Sequence, residues 1–151
     1  MNTIQYKAGT SHIVIPGEYN GAPVTKITAT NLQGNTDIKA ITIGEGVVEI
    51  DKAVFMNCNN VEKLTLPQSL EKVGASAFTD LWYVTTLNIS ANLTSIGAGA
   101  FTGMERLISI TVDEANPIYY SKGNCLITKN PVNRTLVLGC NTSVIPQEDD
   151  I

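Results

Sequence analysis

The sequence lacks long hydrophobic runs: no uninterrupted apolar stretch exceeds four residues. A helix that crosses a membrane needs roughly 20 consecutive apolar residues, so we expect no membrane insertion. The first residues contain no cationic patch followed by an apolar stretch, and the sequence therefore predicts no signal peptide in this chain.

Excess positive charge is also lacking, because 10 basic residues stand against 14 acidic ones and the formal net charge is −4. The basic residues are scattered singly along the chain. Nucleic-acid binding normally requires a basic stripe or patch. We therefore expect no nucleic-acid partner.

Catalytic and metal-binding groups are scarce. His12 is the only histidine, and a solvent-facing position at the start of a strand is its simplest interpretation. The acidic clusters Asp113-Glu114 and Glu148-Asp149-Asp150 are too small to supply the six or so converging oxygens that calcium prefers. The sequence predicts no enzyme, no catalytic residue, no cofactor and no metal site.

Residues branched at Cβ, by contrast, are abundant: Val, Ile and Thr make up 45 of the 151 residues, which favours strands over helices. A period of 23 residues organises them, as in the column Phe55, Phe78 and Phe101. Other apolar columns share this step: Ile41, Leu64, Leu87, Ile110; Ile43, Leu66, Ile89, Val112; and Ile50, Val73, Ile96. We expect about four stacked units between residues 13 and 112, the first with an insertion.

Each unit has three parts, and residues 61–84 illustrate them. Alternating apolar residues over 61–67 predict a short half-buried strand closed by proline. A second brief extended piece over 70–74 ends in glycine. Apolar residues at every third position over 78–84 predict a short helical turn of α or 3₁₀ type. Because one unit cannot bury its own apolar face, the units must stack into a repeat solenoid that is mainly β with short helical turns.

Three segments carry a resemblance to a known family, at residues 93–107 (LTSIGAGAFTGMERL), 54–61 and 13–27. They closely resemble the BspA-type leucine-rich repeat, and residues 116–140 are similar to the hairpin insert that this family often carries. The resemblance implies a single leucine-rich-repeat domain over 1–151. It would be a curved stack of units at 13–112, a C-terminal β-hairpin insert at about 113–142 and the start of a further unit at 143–151. It also implies a non-catalytic module of secreted or cell-surface bacterial proteins.

The three cysteines fall into two kinds. Cys58 shares a column with Leu81 and Met104 and is expected to be a small core residue. Cys125 and Cys140 flank a proline-containing turn. If the two flanking segments pair symmetrically around that turn, these cysteines face each other and are candidates for a disulfide. Two free thiols are the alternative.

The outward columns of the strands form a polar, hydroxyl-rich and almost uncharged face. Such a face can bind a glycan or an extended protein surface through many modest hydrogen bonds, or it can be a solvated sheet with threonine chosen for strand propensity. The candidate partner-binding residues on it are Lys63, Thr65, Thr86, Asn88, Ser90, Ser109 and Thr111. Pro67 is also expected to face outward.

Trp82 and Tyr83 are a second candidate, because their columns hold polar residues in the neighbouring units. Tryptophan and tyrosine often anchor interfaces, although here they could instead lie flat over an adjacent unit. Two functions remain open from the sequence. One is a binding or adhesion module that recognises a protein or glycan at a cell surface, and the other is a structural spacer or assembly module capable of self-association.

Overall fold

A computed structural model describes residues 9–28 and 32–146. Within these ranges the chain forms fourteen strands and no helix. In chain order they are β1 (His12–Ile15), β2 (Glu18–Tyr19), β3 (Ala22–Pro23), β4 (Lys26–Ile27), β5 (Ala40–Ile43), β6 (Glu49–Ile50), β7 (Lys63–Thr65), β8 (Lys72–Val73), β9 (Thr86–Ile89), β10 (Ser95–Ile96), β11 (Ser109–Val112), β12 (Tyr119–Lys122), β13 (Cys125–Thr128) and β14 (Leu136–Leu138).

The chain winds into a β-solenoid of about four turns, as the repeat predicted. Strands β1, β5, β7, β9 and β11 lie along one side, which we call the strand face. They pair in parallel as β1-β5-β7 and, separately, as β9-β11. The short strands β4, β6, β8 and β10 form a second parallel ladder that runs without a break. From β5 onward, paired residues in both ladders are 23 apart, as in Ala40 with Lys63 and Val73 with Ile96.

The third side of each turn differs from the short helical turn that the sequence predicted. Residues 74–81 form consecutive hydrogen-bonded turns, and Ser76 and Asp80 adopt positive φ angles that no regular helix allows. Their backbone groups bond to the next coil instead, as when the Phe78 amide donates to the Ala100 carbonyl at 2.8 Å. Neighbouring coils therefore satisfy the backbone that a helix would have satisfied internally.

The core is a set of stacked columns inside the coils. Phe55, Phe78 and Phe101 stack face to face, with ring centroids 5.3 and 5.6 Å apart. Parallel strands offset by one repeat bring equivalent side chains directly over one another, so the sequence columns become physical stacks. The apolar residues of the strands and the turns beside these rings are buried as well.

Glycine is required where two coils approach most closely. A Cβ on Gly74 would lie 2.5 Å from the Lys52 amide nitrogen, and one on Gly97 would lie 2.4 Å from the Ala75 amide nitrogen. Asp51 occupies the same column in the preceding coil, where its carboxylate accepts a hydrogen bond from the Lys52 amide at 2.9 Å. Contact with the backbone of the preceding coil explains why the two later coils need glycine there.

After β11 the chain leaves the repeat and forms an antiparallel sheet in the order β12-β13-β14. The buried Asn116 side chain joins this sheet to the last coil. Its amide donates to the carbonyls of Ser90 and Leu93 at 2.8 Å, and its oxygen accepts from the amides of Ile118 and Tyr119. Ser143–Pro146, expected to begin a further unit, contains no strand, and residues 147–151 lie outside the described residues.

Candidate functional site

The strand face exposes most of the polar residues that the sequence singled out. Side chains of Lys63, Thr65, Thr86, Asn88 and Thr111 are exposed, and those of Ser109 and Ser90 are half-buried. Across the β9-β11 pair, the Thr111 hydroxyl donates to the Asn88 side-chain oxygen at 2.6 Å. The structure thus brings these residues onto one surface, where alternation along each strand separates them from the buried leucines and isoleucines.

Pro67 was expected on the same surface, but it is buried. Its ring has no amide to donate, so β7 stops at Thr65, two residues earlier, whereas β5 continues to Ile43. Pro67 therefore lies beyond the paired part of the strand, where the alternation of inward and outward side chains no longer applies.

The ladder of the strand face is interrupted between β7 and β9, which the sequence did not predict. Within the described chain no ladder joins these two strands, although β8 and β10 of the same coils remain paired. Backbone hydrogen bonds that join β5 to β7 and β9 to β11 have no counterpart between β7 and β9 in the described residues. Ser109 donates to Thr85 across β9-β11, but no equivalent bond joins the Thr86 amide to the Glu62 carbonyl. We call this interruption the split; its edges are residues 62–66 on one side and 86–90 on the other.

A groove of about 800 Å³ follows the split. Leu64 and Leu66 are partly exposed in it, whereas the equivalent Leu87 and Ile89 are buried. The Ser90 hydroxyl also lines the groove and is buried without a hydrogen-bond partner in the described structure. The groove therefore combines partly exposed leucines with polar side chains and one buried hydroxyl that has no partner in the described residues, and ligand-binding grooves commonly combine apolar walls with a few polar groups.

Trp82 and Tyr83 lie immediately before β9 and behave differently from each other. The Arg106 guanidinium of the next coil stacks on the Tyr83 ring, 4.3 Å from its centroid, and the Arg106 amide donates to the Trp82 carbonyl at 3.0 Å. Tyr83 is half-buried by this contact, whereas the Trp82 side chain is 40% exposed. Of the pair, Trp82 is the residue that exposes more apolar surface, and its role in binding stays a prediction.

All three cysteines carry free thiols. Burial raises the pKa of Cys58 to about 11, and its thiol donates to the Leu32 carbonyl at 3.0 Å. Partial burial opposes ionisation of Cys140, but hydrogen bonds with Thr142 and Ser143 outweigh it and hold the Cys140 pKa below its ordinary value.

The pairing assumed for the disulfide differs from the observed one. Leu126 pairs with Leu138, and Ile127 pairs with Leu136, because the register shifts at this point. The strand that contains Cys125 therefore meets its partner one residue out of the symmetric alignment. A disulfide between Cys125 and Cys140 stays a prediction.

The strand face carries few charged groups, among them Glu62, Lys63 and Asp113 at the groove and the Lys39–Glu62 ion pair at 3.8 Å. The clearest ion pair lies on the second ladder, where Lys26 Nζ is 3.0 Å from Glu49 Oε1 and the pKa of Lys26 is raised by that contact and by Asp51. At the strand face, His12 bonds to the Thr42 hydroxyl at 2.9 Å. The described part of the chain contains neither a cluster of three or more potential metal ligands nor a helix long and apolar enough to cross a membrane.

Three solved leucine-rich repeat proteins share this fold. A protein from T. pallidum is 18% identical over 70% of this chain and 60% of its own length, with a TM-score of 0.54. One from Bacteroides capillosus is 22% identical over 70% of this chain and 79% of its own, with a TM-score of 0.60. A leucine rich cell surface protein from Faecalibacterium prausnitzii is 20% identical over 84% of this chain and 45% of its own, with a TM-score of 0.51.

This chain thus spans less than two thirds of the T. pallidum and F. prausnitzii proteins. No curated protein sequence matches it. The model of the BspA type leucine rich repeat region matches residues 10–135 in six copies. Such repeats point to a protein-interaction or surface module. The chain belongs to the BspA-type leucine-rich repeat family.

Proposed function

We propose that this chain is a non-catalytic module that binds a protein or a glycan through its strand face. The supporting observation is the surface itself, where hydroxyl and amide side chains from three successive strands line a groove of about 800 Å³, together with apolar residues and the charged Glu62, Lys63 and Asp113. A groove of this size falls within the range of ligand-binding sites. Near-neutral polar surfaces bind through many hydrogen bonds, each contributing about 0.5–1.5 kcal/mol.

We propose further that the module acts at a cell surface or in a secreted protein. Support comes from the family and from the F. prausnitzii protein of the same fold, which is described as a cell surface protein. Adhesion to another cell or to a host molecule would suit a rigid stack, because binding would require little ordering of the backbone.

The proposal is tested by replacing Thr65 or Asn88 with arginine. We expect either change to weaken a ligand found in glycan-array and extracellular-protein screens by about tenfold or more, a loss of about 1.4 kcal/mol. A bulky charge would block the face without disturbing the core, because both side chains are exposed. Thr94→Arg is the matched control: Thr94 is also exposed but lies beside the second ladder. Equal binding by all three variants would contradict the proposal.

Assembly is a second candidate function, which the exposed Trp82 favours. In this case the chain would act as a spacer or assembly module that associates through the aromatic residue instead of capturing a ligand on the strand face. The two candidates predict different responses to substitution, because Trp82 precedes β9 whereas Thr65 and Asn88 lie on the face itself.

A further inference from the structure

The edges of the split carry backbone groups that a continuous ladder would pair. In parallel strands, the amide and the carbonyl of one residue point to the same neighbour, and those of the next residue point to the opposite one. Lys63 donates to Lys39 and Ser109 donates to Thr85, which fixes the directions in β7 and β9. Backbone groups of Leu64 and Leu66 therefore point across the split toward those of Thr86 and Asn88.

The two coils on either side of the split are separated only at the strand face and stay joined elsewhere. The same two coils remain joined by the β8-β10 pair and by the bonds from Ser76, Phe78 and Asp80 to Ala98, Ala100 and Thr102. Only the strand-face side is open. A ligand entering there would widen the split about an intact hinge, without dismantling the stack.

We propose that the split accepts an extended peptide strand, which forms backbone hydrogen bonds with the free edges of β7 and β9. This inference rests on the proposed function, since it names the kind of partner that the strand face binds. An extended peptide offers donors and acceptors at strand spacing on both of its edges, and adding a strand to an open edge is a recurrent mode of peptide recognition. A free hydroxyl at Ser90 would supply one more bond.

The groove also specifies the side chains of this peptide. Leu64 and Leu66 are partly exposed along one edge, and the deeper wall includes the buried Leu70 and Leu93. Alternate side chains of a bound strand point to opposite faces, so those facing inward would meet these leucines and those facing outward would meet solvent. The edges span five residues each, about 17 Å of extended chain. The ligand is therefore a short strand with aliphatic residues at alternate positions.

The aromatic pair before β9 coincides with the split, and it replaces a side-chain bond that is present one coil earlier. One coil earlier, the Asn60 side-chain amide donates to the Thr36 carbonyl at 2.8 Å and ties neighbouring coils together. Tyr83 stands in that column, has no amide to donate, and packs toward Arg106 on the other side. The preceding coil still reaches this segment through the Asn59 side-chain amide, which donates to the Asp80 carbonyl at 3.0 Å, but in the described residues no bond like that of Asn60 is made at Tyr83.

The first experiment uses synthetic peptides as probes. A peptide with the sequence of residues 84–91, which has aliphatic residues at alternate positions, is titrated against the full chain by calorimetry. Backbone exchange is followed by NMR at Leu64, Leu66, Thr86 and Asn88. We expect saturable binding and at least a tenfold slowing of exchange at these amides. The same peptide methylated at alternate backbone nitrogens is the matched control, and it should bind at least tenfold more weakly.

Absence of binding, or equal binding by the methylated peptide, would overturn the inference. Either result would leave the proposed function standing if Thr65→Arg still abolished ligand capture in the array screens. A double variant, Trp82→Asn with Tyr83→Asn, tests the origin of the split in the same samples. It should protect the Thr86 and Asn88 amides without any peptide and weaken peptide binding at least tenfold. Tyr83→Phe keeps the ring and should bind the peptide as the unmodified chain does.

Discussion

At the scale of single residues, the three cysteines show how strongly the position in the stack controls thiol chemistry. Cys58 lies in the core, and its pKa of about 11 keeps it protonated at neutral pH. Cys140 is half-buried and accepts or shares hydrogen bonds with Thr142 and Ser143 that favour its thiolate. Thiolates, not thiols, are the reactive species, so these residues differ in reactivity.

We expect iodoacetamide at pH 8 to modify Cys140 well before Cys58. The rate at Cys140 should rise with pH up to its lowered pKa, whereas Cys58 should stay unmodified until the chain unfolds. Peptide mapping of samples quenched over time measures both rates. In the Thr142→Val variant the reaction of Cys140 should slow, because one hydrogen bond that favours the thiolate is gone. Faster modification of Cys58 than of Cys140 in the unchanged chain would contradict the predicted difference in reactivity. After oxidation, a linked pair of peptides that contains Cys125 and Cys140 and is two hydrogens lighter than the two separate peptides would reveal that disulfide.

At the scale of elements, the sheet β12-β13-β14 depends on one buried side chain. Asn116 makes two donor and two acceptor contacts with backbone groups, and the Tyr119 hydroxyl accepts from the Ile96 amide at 3.2 Å. The carbonyls of Ser90 and Leu93 and the Ile96 amide lie in β10 or in the loop before it, so hydrogen bonds join this part of the solenoid to the sheet. A sheet attached in this way is bound to the solenoid by polar contacts as well as by apolar packing.

Asn116→Ala should lower the free energy of unfolding by about 3 kcal/mol or more, because several buried backbone groups would lose their partners at about 1–3 kcal/mol each. Urea unfolding measures the total loss, and hydrogen exchange should show that β12 to β14 lose protection before β5 to β8. Tyr119→Phe is the milder companion variant, expected to cost about 1 kcal/mol for a single hydrogen bond. Equal losses in the two variants would argue against Asn116 as the main link.

At the scale of the whole molecule, the described residues 9–28 and 32–146 form a stack in which the strand-face ladder is interrupted once, between β7 and β9. The second ladder and the phenylalanine stack pass through that interval without a break. Trp82 stands beside it with 40% of its side chain exposed. Association through this residue and binding at the face are therefore separate properties of one molecule.

Light scattering over a concentration series distinguishes self-association through Trp82 from ligand binding at the strand face. If the chain works by assembly, it should form oligomers that Trp82→Ala converts to monomers, because truncation removes the exposed apolar anchor. A monomer in both samples would remove the assembly function and leave ligand binding. An oligomer that does not respond to Trp82→Ala would place the interface elsewhere. Thr94→Arg serves again as a surface control that should leave the molar mass unchanged.

Repeat columns made much of the fold predictable. Phe55, Phe78 and Phe101 were one column in the sequence and are one stack of rings in the structure. The prediction of short helical turns was wrong, because Ser76 and Asp80 adopt positive φ angles and the amides of these turns donate to the next coil. A spacing of three residues cannot distinguish a helix from successive turns whose hydrogen bonds run between coils.

The polar strand face could likewise be derived from alternation, which is a local property of each strand. The predicted outward position of Pro67 was wrong, because the strand ends at Thr65 and the alternation does not extend to the buried proline. The split and its groove had no signal in the apolar columns, since Leu64 and Leu87 look equivalent there. The one available signal was the replacement of Asn59-Asn60 by Trp82-Tyr83 in an otherwise regular column.

The sequence by itself determined the period, the order of the parts in each coil and the identity of the core, because identical spacing forces equivalent side chains to stack. Tertiary structure alone decided which neighbouring strands of the strand face pair, where the cysteines lie relative to each other, and which leucines are exposed to solvent. Pairing of neighbouring strands depends on contacts between residues about 23 positions apart, such as Asn60 with Thr36 or Arg106 with Tyr83. Those contacts depend on side-chain size and direction after stacking, and a pattern of apolar and polar positions does not contain that information.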